Sequence, residues 1–195
     1  QLDLCLNYHL YDQDIQLDKD QESVYLKNII EIDKGGCANV GSYKELKSSD
    51  FTSSILRSLK TNMGQTRSED ENKAFIAKYQ GPTLFIKHDG GIKVAVNRTT
   101  QYYEPCPNSY SLKVNENIVS IEYLTYLFLY DKRLSSYMHS ITDYHGVFMP
   151  KDLLHKKIAI YTDADYQKQI VDDAIVKERH AVSSGVEYNI VLLSA

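Results

Sequence analysis

The chain has 195 residues, 43% of them hydrophobic and 25% charged, which is enough for one well-buried core with an appendage. Four prolines and nine glycines exclude a low-complexity chain, and no apolar run approaches the roughly 20 residues that span a bilayer. The net charge of -4 hides a partition: residues 1–33 carry eight acids against two lysines, residues 34–162 are net +5, and residues 163–195 are net -3. A basic middle of this kind can meet phosphate while acidic ends face solvent or a partner.

In chain order, residues 1–22 read as a lead-in segment or linker, with no signal-peptide core and an acidic, polar stretch at 12–21. Because the chain starts at Gln1, it is expected to be a processed or excised piece of a longer one. A short strand is predicted from residue 24, then a short helix or helix-strand unit over 26–33 that Gly35 and Gly36 break. Residues 37–53 are loop-like. Asp50 or Ser53 is predicted to cap a short helix over 54–60. Residues 61–73 are polar throughout and read as an exposed loop, and residues 74–80 return to a half-buried strand pattern. Residues 83–86 and 92–96 are strands around the turn Asp89, Gly90, Gly91, a hairpin with Lys87, His88, Lys93 and Arg98 at its tip and far end. Residues 99–103 continue that run until Pro105 and Pro107 close it. Residues 110–114 alternate cleanly as a strand. Ser120 caps the most regular helix, with Ile121, Leu124, Leu127 and Phe128 at helical spacing, extended to Met138. A loop over 142–149, a helical turn at 151–154 and a strand over 157–161 follow. Asp163 or Asp165 caps a last helix to about Val182, ended by Gly185, with an apolar tail over 188–193. That helix can pack on the core, on a partner, or both.

Three cysteines, Cys5, Cys37 and Cys106, form no close pair and read as reduced thiols. His139 and His145 are the nearest approach to a zinc-ligand pair and have no cysteine beside them, so no metal site is predicted. The 16 tyrosines, with no tryptophan, suit either strand packing or contacts to phosphate and base edges.

Several of these segments together resemble the target recognition domain of the specificity (S) subunit of type I restriction-modification systems, and related domains fused to adenine methyltransferases. "VYLKNIIEIDKGG" (24–36) is similar to the family's opening strand, helix and glycine turn. "GPTLFIKHDGGIKVAVNR" (81–98) resembles its central strand. "SYSLKVNENIVSIEYLTYLFLYDKRLSSYMHSITDYHGVFMPKDLLHKKIAIYTDADYQKQI" (109–170) is similar to its strand, aromatic helix, glycine loop, short helix, strand and Gln-rich helix start, with Gln167 and Ile170 fitting the last. Two departures stand out. Tyr161 and Thr162 occupy the place of the family's paired prolines, and the spacer helix is short, which favours a single recognition domain cut from a larger protein.

The resemblance implies an α/β (α+β) fold: one target-recognition-type domain over 23–164, with a twisted mixed sheet, flanking helices and a C-terminal helix and tail over 165–195. It implies a cytoplasmic, non-enzymatic module that reads double-stranded DNA for an adenine methyltransferase subunit or domain and for a restriction subunit. S-adenosylmethionine and magnesium are then expected only in those partners. Such a domain needs phosphate anchors and groups at base edges. Lys87, Lys93 and Arg98 are the candidate anchors, Arg98 also a candidate guanine reader. His88, Thr99, Thr100 and Gln101 are candidate edge readers. Asn62, Gln65, Thr66 and Arg67 form a candidate second finger, Tyr144 and His145 a third contact. On this reading the hairpin is a finger pointing at nucleic acid.

The sequence lacks the Asn-Pro-Pro-aromatic motif, a glycine-rich cofactor loop and a phosphate loop. Glu45 and Lys47 have the spacing of a nuclease acid-x-Lys pair without an evident partner carboxylate. Cys106 and His88 could only in principle pair as thiol and imidazole. A nuclease or methyltransferase fragment, or a protein-interaction domain using its tyrosines, are the alternatives.

Overall fold

The computed structural model describes residues 17–34, 44–46, 48–60, 82–98, 103–104 and 108–184. Its centre is a four-stranded antiparallel sheet in the order β2-β7-β4-β5, built from β2 (Ile30–Lys34), β4 (Thr83–His88), β5 (Ile92–Asn97) and β7 (Ser109–Val114). The α+β composition is as predicted. The sheet itself is antiparallel throughout, and among the described residues parallel pairing is confined to β3 (Lys44–Glu45) against β6 (Tyr103–Glu104).

The 83–97 segment forms a hairpin for a local reason. Gly90 and Gly91 take φ of 65° and 152°, which side-chain-bearing residues rarely adopt, and Asp89 N–H donates to the Gly91 carbonyl at 2.9 Å. The strands, however, do not project as a finger. Thr83, Leu84, Phe85 and Ile86 are buried on both faces because β4 is a central strand, and the hairpin reaches the surface only around its turn, at residues 87–91 and Lys93. On one face Leu84, Ile86, Val94, Val96, Tyr110 and Leu112 join the main core, and on the other Phe85 and Ala95 pack with Leu46 and Phe51.

The main core is closed by helices. α2 (Ile121–Tyr130) begins at Ser120, whose hydroxyl accepts the Tyr123 N–H at 3.1 Å. The single helix predicted to Met138 is in fact two. Asp131 leaves the helical region at φ -74°, ψ 110°, and its carboxylate accepts from Arg133 and Leu134 N–H at 2.8 and 3.1 Å, starting α3 (Lys132–Ile141). An apolar period running across the break concealed a strong N-cap residue. α4 (Pro150–Leu154) leads into β8 (Lys157–Tyr161), which pairs antiparallel with β1 (Gln21–Tyr25). A 3-10 turn, Leu26–Asn28, then passes the chain into β2.

The last helix, α5 (Ala164–Ser183), is capped by Asp163 as predicted. It lays Gln167, Val171, Ala174 and Glu178, spaced at helical intervals, onto the domain. Gln167 is 2% exposed and fully engaged: its amide donates to the carbonyls of Tyr161 and Ile118, and its oxygen accepts the Ser120 N–H. The helix therefore packs on its own core, with Lys168, Asp172, Asp173, Val176 and Lys177 left outward.

The short helix predicted over 54–60 is α1 (Ile55–Lys60). Its cap is neither Asp50 nor Ser53. Ser54 accepts the Arg57 N–H, and Glu178 of α5 accepts the N–H groups of Ile55 and Leu56 at 2.9 and 3.0 Å. Ser53 instead donates to the Ile92 carbonyl, and Asp50 lies in the 3-10 turn Ser48–Asp50. The loop predicted over 61–73, the strand over 74–80 and the tail over 188–193 lie outside the described residues.

Candidate nucleic-acid interface

The tip of the β4–β5 hairpin gathers the basic side chains. Lys87 and Lys93 stand directly opposite each other across the ladder and so share one face of the sheet. Directly opposed like charges cost roughly 0.2–1 kcal/mol in a sheet, so the pair is a local liability unless something uses it. Local contacts offset part of that cost. Lys93 Nζ lies 3.3 Å from an Asp89 carboxylate oxygen, and Lys87 Nζ donates to Ser48 Oγ at 2.7 Å.

The other face of the tip carries His88, with its ring 5.5 Å from that of His139 in the last turn of α3. Burial, chiefly, and then His139 hold the His88 imidazole below its usual range, against a smaller opposing pull from Asp89. A folded-state value below the unfolded value of about 6.5 means that the unfolded chain binds the extra proton first. This contribution to stability is complete above about pH 6.5 and is lost as pH falls through the depressed value. The His88→Gln protein should consequently lose less stability than the parent between neutral and mildly acidic pH in urea titrations. Equal losses in the two proteins would remove His88 as the source.

A second segment lies against this tip. In the 142–149 loop the Asp143 carboxylate accepts the N–H groups of His145 and Val147, both at 2.9 Å, and Asp143 N–H donates to the Val147 carbonyl. Gly146 has φ 79°, and a Cβ there would fall well inside contact distance of the His88 carbonyl oxygen. Loop and hairpin thus meet backbone to backbone. Tyr110, fully buried on β7, locks the loop's far side: its hydroxyl donates to the Phe148 carbonyl at 2.6 Å and accepts the Phe148 N–H at 2.9 Å. Asn108, in the left-handed region at φ 60°, reaches the His145 carbonyl at 3.5 Å. Tyr144 and His145 are held on this frame with their rings 3.8 Å apart.

The predicted residues therefore divide. Lys87, His88, Lys93, Tyr144 and His145 come together at one end of the sheet. Arg98 sits at the opposite end of β5, about 17–20 Å along the strand from the tip. Its guanidinium is bonded by Glu122 of α2 and, at 2.8 Å, by Glu116. Burial alone would favour losing its proton, but the two glutamates outweigh it and keep Arg98 charged. A guanidinium already held by two carboxylates is a poor phosphate anchor, and the structure assigns it to tying the strand end to α2. Thr99, Thr100, Gln101, Asn62, Gln65, Thr66 and Arg67 lie outside the described residues.

Ser48 and Asn108 are site neighbours that sequence reasoning missed, and His139, weighed there only as a zinc ligand, is a third. They come from three separate elements, and nothing in their local sequence places them beside the hairpin. Five of the tyrosines line a cavity of about 320 Å³ between α2, β8 and α5: Tyr123, Tyr126, Tyr130, Tyr161 and Tyr166. These five of the 16 tyrosines lie away from the hairpin tip. Among the described residues, no group of three His, Cys, Asp or Glu side chains converges on a common point, and no helix is long and apolar enough to cross a membrane.

No protein-family model and no curated protein matches this chain. Solved structures do. The HsdS subunit from Thermoanaerobacter tengcongensis is similar over 96% of this chain and 46% of that one, at 14% identity and a TM-score of 0.54. A chain from a structure of a type I restriction-modification system, solved for its complex assembly and conformational transition, gives 13% identity and a TM-score of 0.54 over 94% and 45% of the two chains. The type I S subunit from M. genitalium is similar at 14% identity over 94% and 46%, with a TM-score of 0.48. At these identities the likeness is one of fold. The chain spans just under half the length of the structures it matches and shares the fold of that part of an HsdS subunit.

Proposed function

We propose that this protein is a DNA-recognition module of a type I restriction-modification system: it reads a duplex sequence and leaves methyl transfer and cleavage to partner polypeptides. The observation that carries the reading is the opposed Lys87–Lys93 pair on an HsdS-like fold, beside His88 and the Tyr144–His145 loop. Two ammonium groups on one strand pair suit adjacent phosphates. The ring nitrogens of His88 and His145 and the hydroxyl of Tyr144 are groups suited to base edges. On this reading an adenine methyltransferase and a restriction subunit are the protein partners. They supply the sites for S-adenosylmethionine and magnesium, and the setting is the cytoplasm.

The test is duplex binding by fluorescence anisotropy at about 50 and 200 mM salt. Each lysine that neutralises a phosphate contributes about 0.9 to the slope of log K against log salt. Lys87→Ala and Lys93→Ala are each expected to flatten the slope by about that amount and to weaken binding roughly tenfold near 0.1 M salt. Arg98→Ala should leave the slope unchanged. A slope untouched by either lysine substitution, or flattened by Arg98→Ala alone, would overturn the placement of the interface at the hairpin tip.

A further inference from the structure

We infer that Tyr144, backed by the His145 ring, is a stacking wedge that enters the base stack of the bound duplex at one step; this rests on the DNA-recognition reading above. Tyr144 is 92% exposed, far more than any other large apolar side chain on the described surface except Val182 at the end of α5. Among the described residues its only ring neighbour is His145 and its hydroxyl has no hydrogen-bond partner. Met149, at the base of the same loop, is 56% exposed. An aromatic side chain left in water forfeits its burial, and this loop nevertheless presents one at its tip.

The loop is built to keep the ring there. Asp143 spends its carboxylate on two backbone N–H groups of the loop, Gly146 presses on the hairpin, and Tyr110 binds both polar groups of Phe148. With so little freedom left, ordering the loop on binding costs little. The same bonds fix where its charge lies. Asp143 is turned toward backbone donors within the loop, and Asp89 is paired with Lys93. An exposed ring on a rigid turn, at the same end of the sheet as a pair of lysines, matches proteins that anchor on phosphate and push a wedge between base pairs, partly unstacking them. The opposed lysines at the same end of the sheet call for closely spaced anions, which the regularly spaced phosphates of a duplex supply.

A step already opened accepts a wedge without the unstacking cost, so no knowledge of the target sequence is needed to test this. The probes are a mixed-sequence duplex and the same duplex with one abasic site flanked by 2-aminopurine. The parent protein is expected to bind the opened duplex about tenfold more tightly than the intact one, the size of one aromatic–base stack, and to quench the 2-aminopurine. Tyr144→Phe should keep both effects. Tyr144→Ala, with its fold checked by circular dichroism, should bring the ratio of the two affinities to about one. Equal affinity of the parent for both duplexes, or a preference that survives Tyr144→Ala, would overturn the wedge while leaving the recognition reading intact. Failure of the parent to bind either duplex at about 50 mM salt would overturn both.

Discussion

Replacing Glu178 with alanine is expected to lower the unfolding free energy by about 3 kcal/mol, a large loss for a side chain that reaches the surface. Glu178 lies on α5, yet its carboxylate accepts from Ser54 Oγ at 2.6 Å, from the Ile55 and Leu56 N–H groups, and from the Tyr130 hydroxyl. One side chain thus satisfies the start of α1 and ties it to both α2 and α5. Removing it strands backbone donors beside Ile55, which is fully buried, and each orphaned donor costs roughly 1–3 kcal/mol. The sum stays near the lower end because Ser54 can reorient toward the same donors and water can enter. For a chain of this size the loss corresponds to a melting temperature lower by roughly 6–12 °C. Glu178→Gln keeps an acceptor oxygen but not the charge, and should lose about half as much. A thermal melt in which Glu178→Ala costs less than about 1 kcal/mol would mean that α1 is held by its apolar face alone.

That carboxylate also marks the boundary of what the sequence makes legible. Ile55 and Glu178 are 123 residues apart, and no local pattern announces that a glutamate on one helix caps another. The elements that were readable are those whose signals are local. Asp89, Gly90 and Gly91 dictate a turn, residues 110–114 alternate with the pleat, and Ser120 and Asp163 are N-caps directly ahead of an apolar period. Even local reading failed at Asp131, where two signals competed. The apolar spacing continues through Leu134 and Met138, but the Asp carboxylate prefers the exposed N–H groups of a new helix, and the cap won.

The candidate interface divides in the same way. The basic hairpin tip was legible because Lys87, His88 and Lys93 flank a turn that must lie at a surface. Arg98 was misplaced because its charge shows in the sequence while Glu116 and Glu122, which hold it, arrive through the packing of α2 against β5. Tyr144 and His145 were read as a separate contact, and only the fold reveals that their loop rests on the hairpin. The family likeness rests on the same footing. Its motifs are degenerate, no family model matches, and the agreement is carried by the order and packing of elements.

Gly146→Ala should disable the interface without touching any of its proposed contact groups. At φ 79° an alanine is strained by about 1–2 kcal/mol wherever it sits, and here the added methyl also collides with the His88 carbonyl. That oxygen is backbone at the end of a central strand, so it cannot swing aside as a side chain would. The loop must retreat from the hairpin, and the retreat strains the bonds between Tyr110 and Phe148. A loss of about 2–4 kcal/mol is expected, together with loss of the preference for an opened base step, since Tyr144 would no longer be held in place. Gly90→Ala is the control. Gly90 also has positive φ, at 65°, but nothing lies within 4 Å of a Cβ there, so only the conformational cost of about 1 kcal/mol should appear. The difference between the two melts isolates the loop–hairpin contact, and pairing each melt with the duplex assay separates folding from recognition. Equal small losses in both variants would show that the loop tolerates displacement. The positioning of Tyr144 and His145 would then owe nothing to the close approach at Gly146.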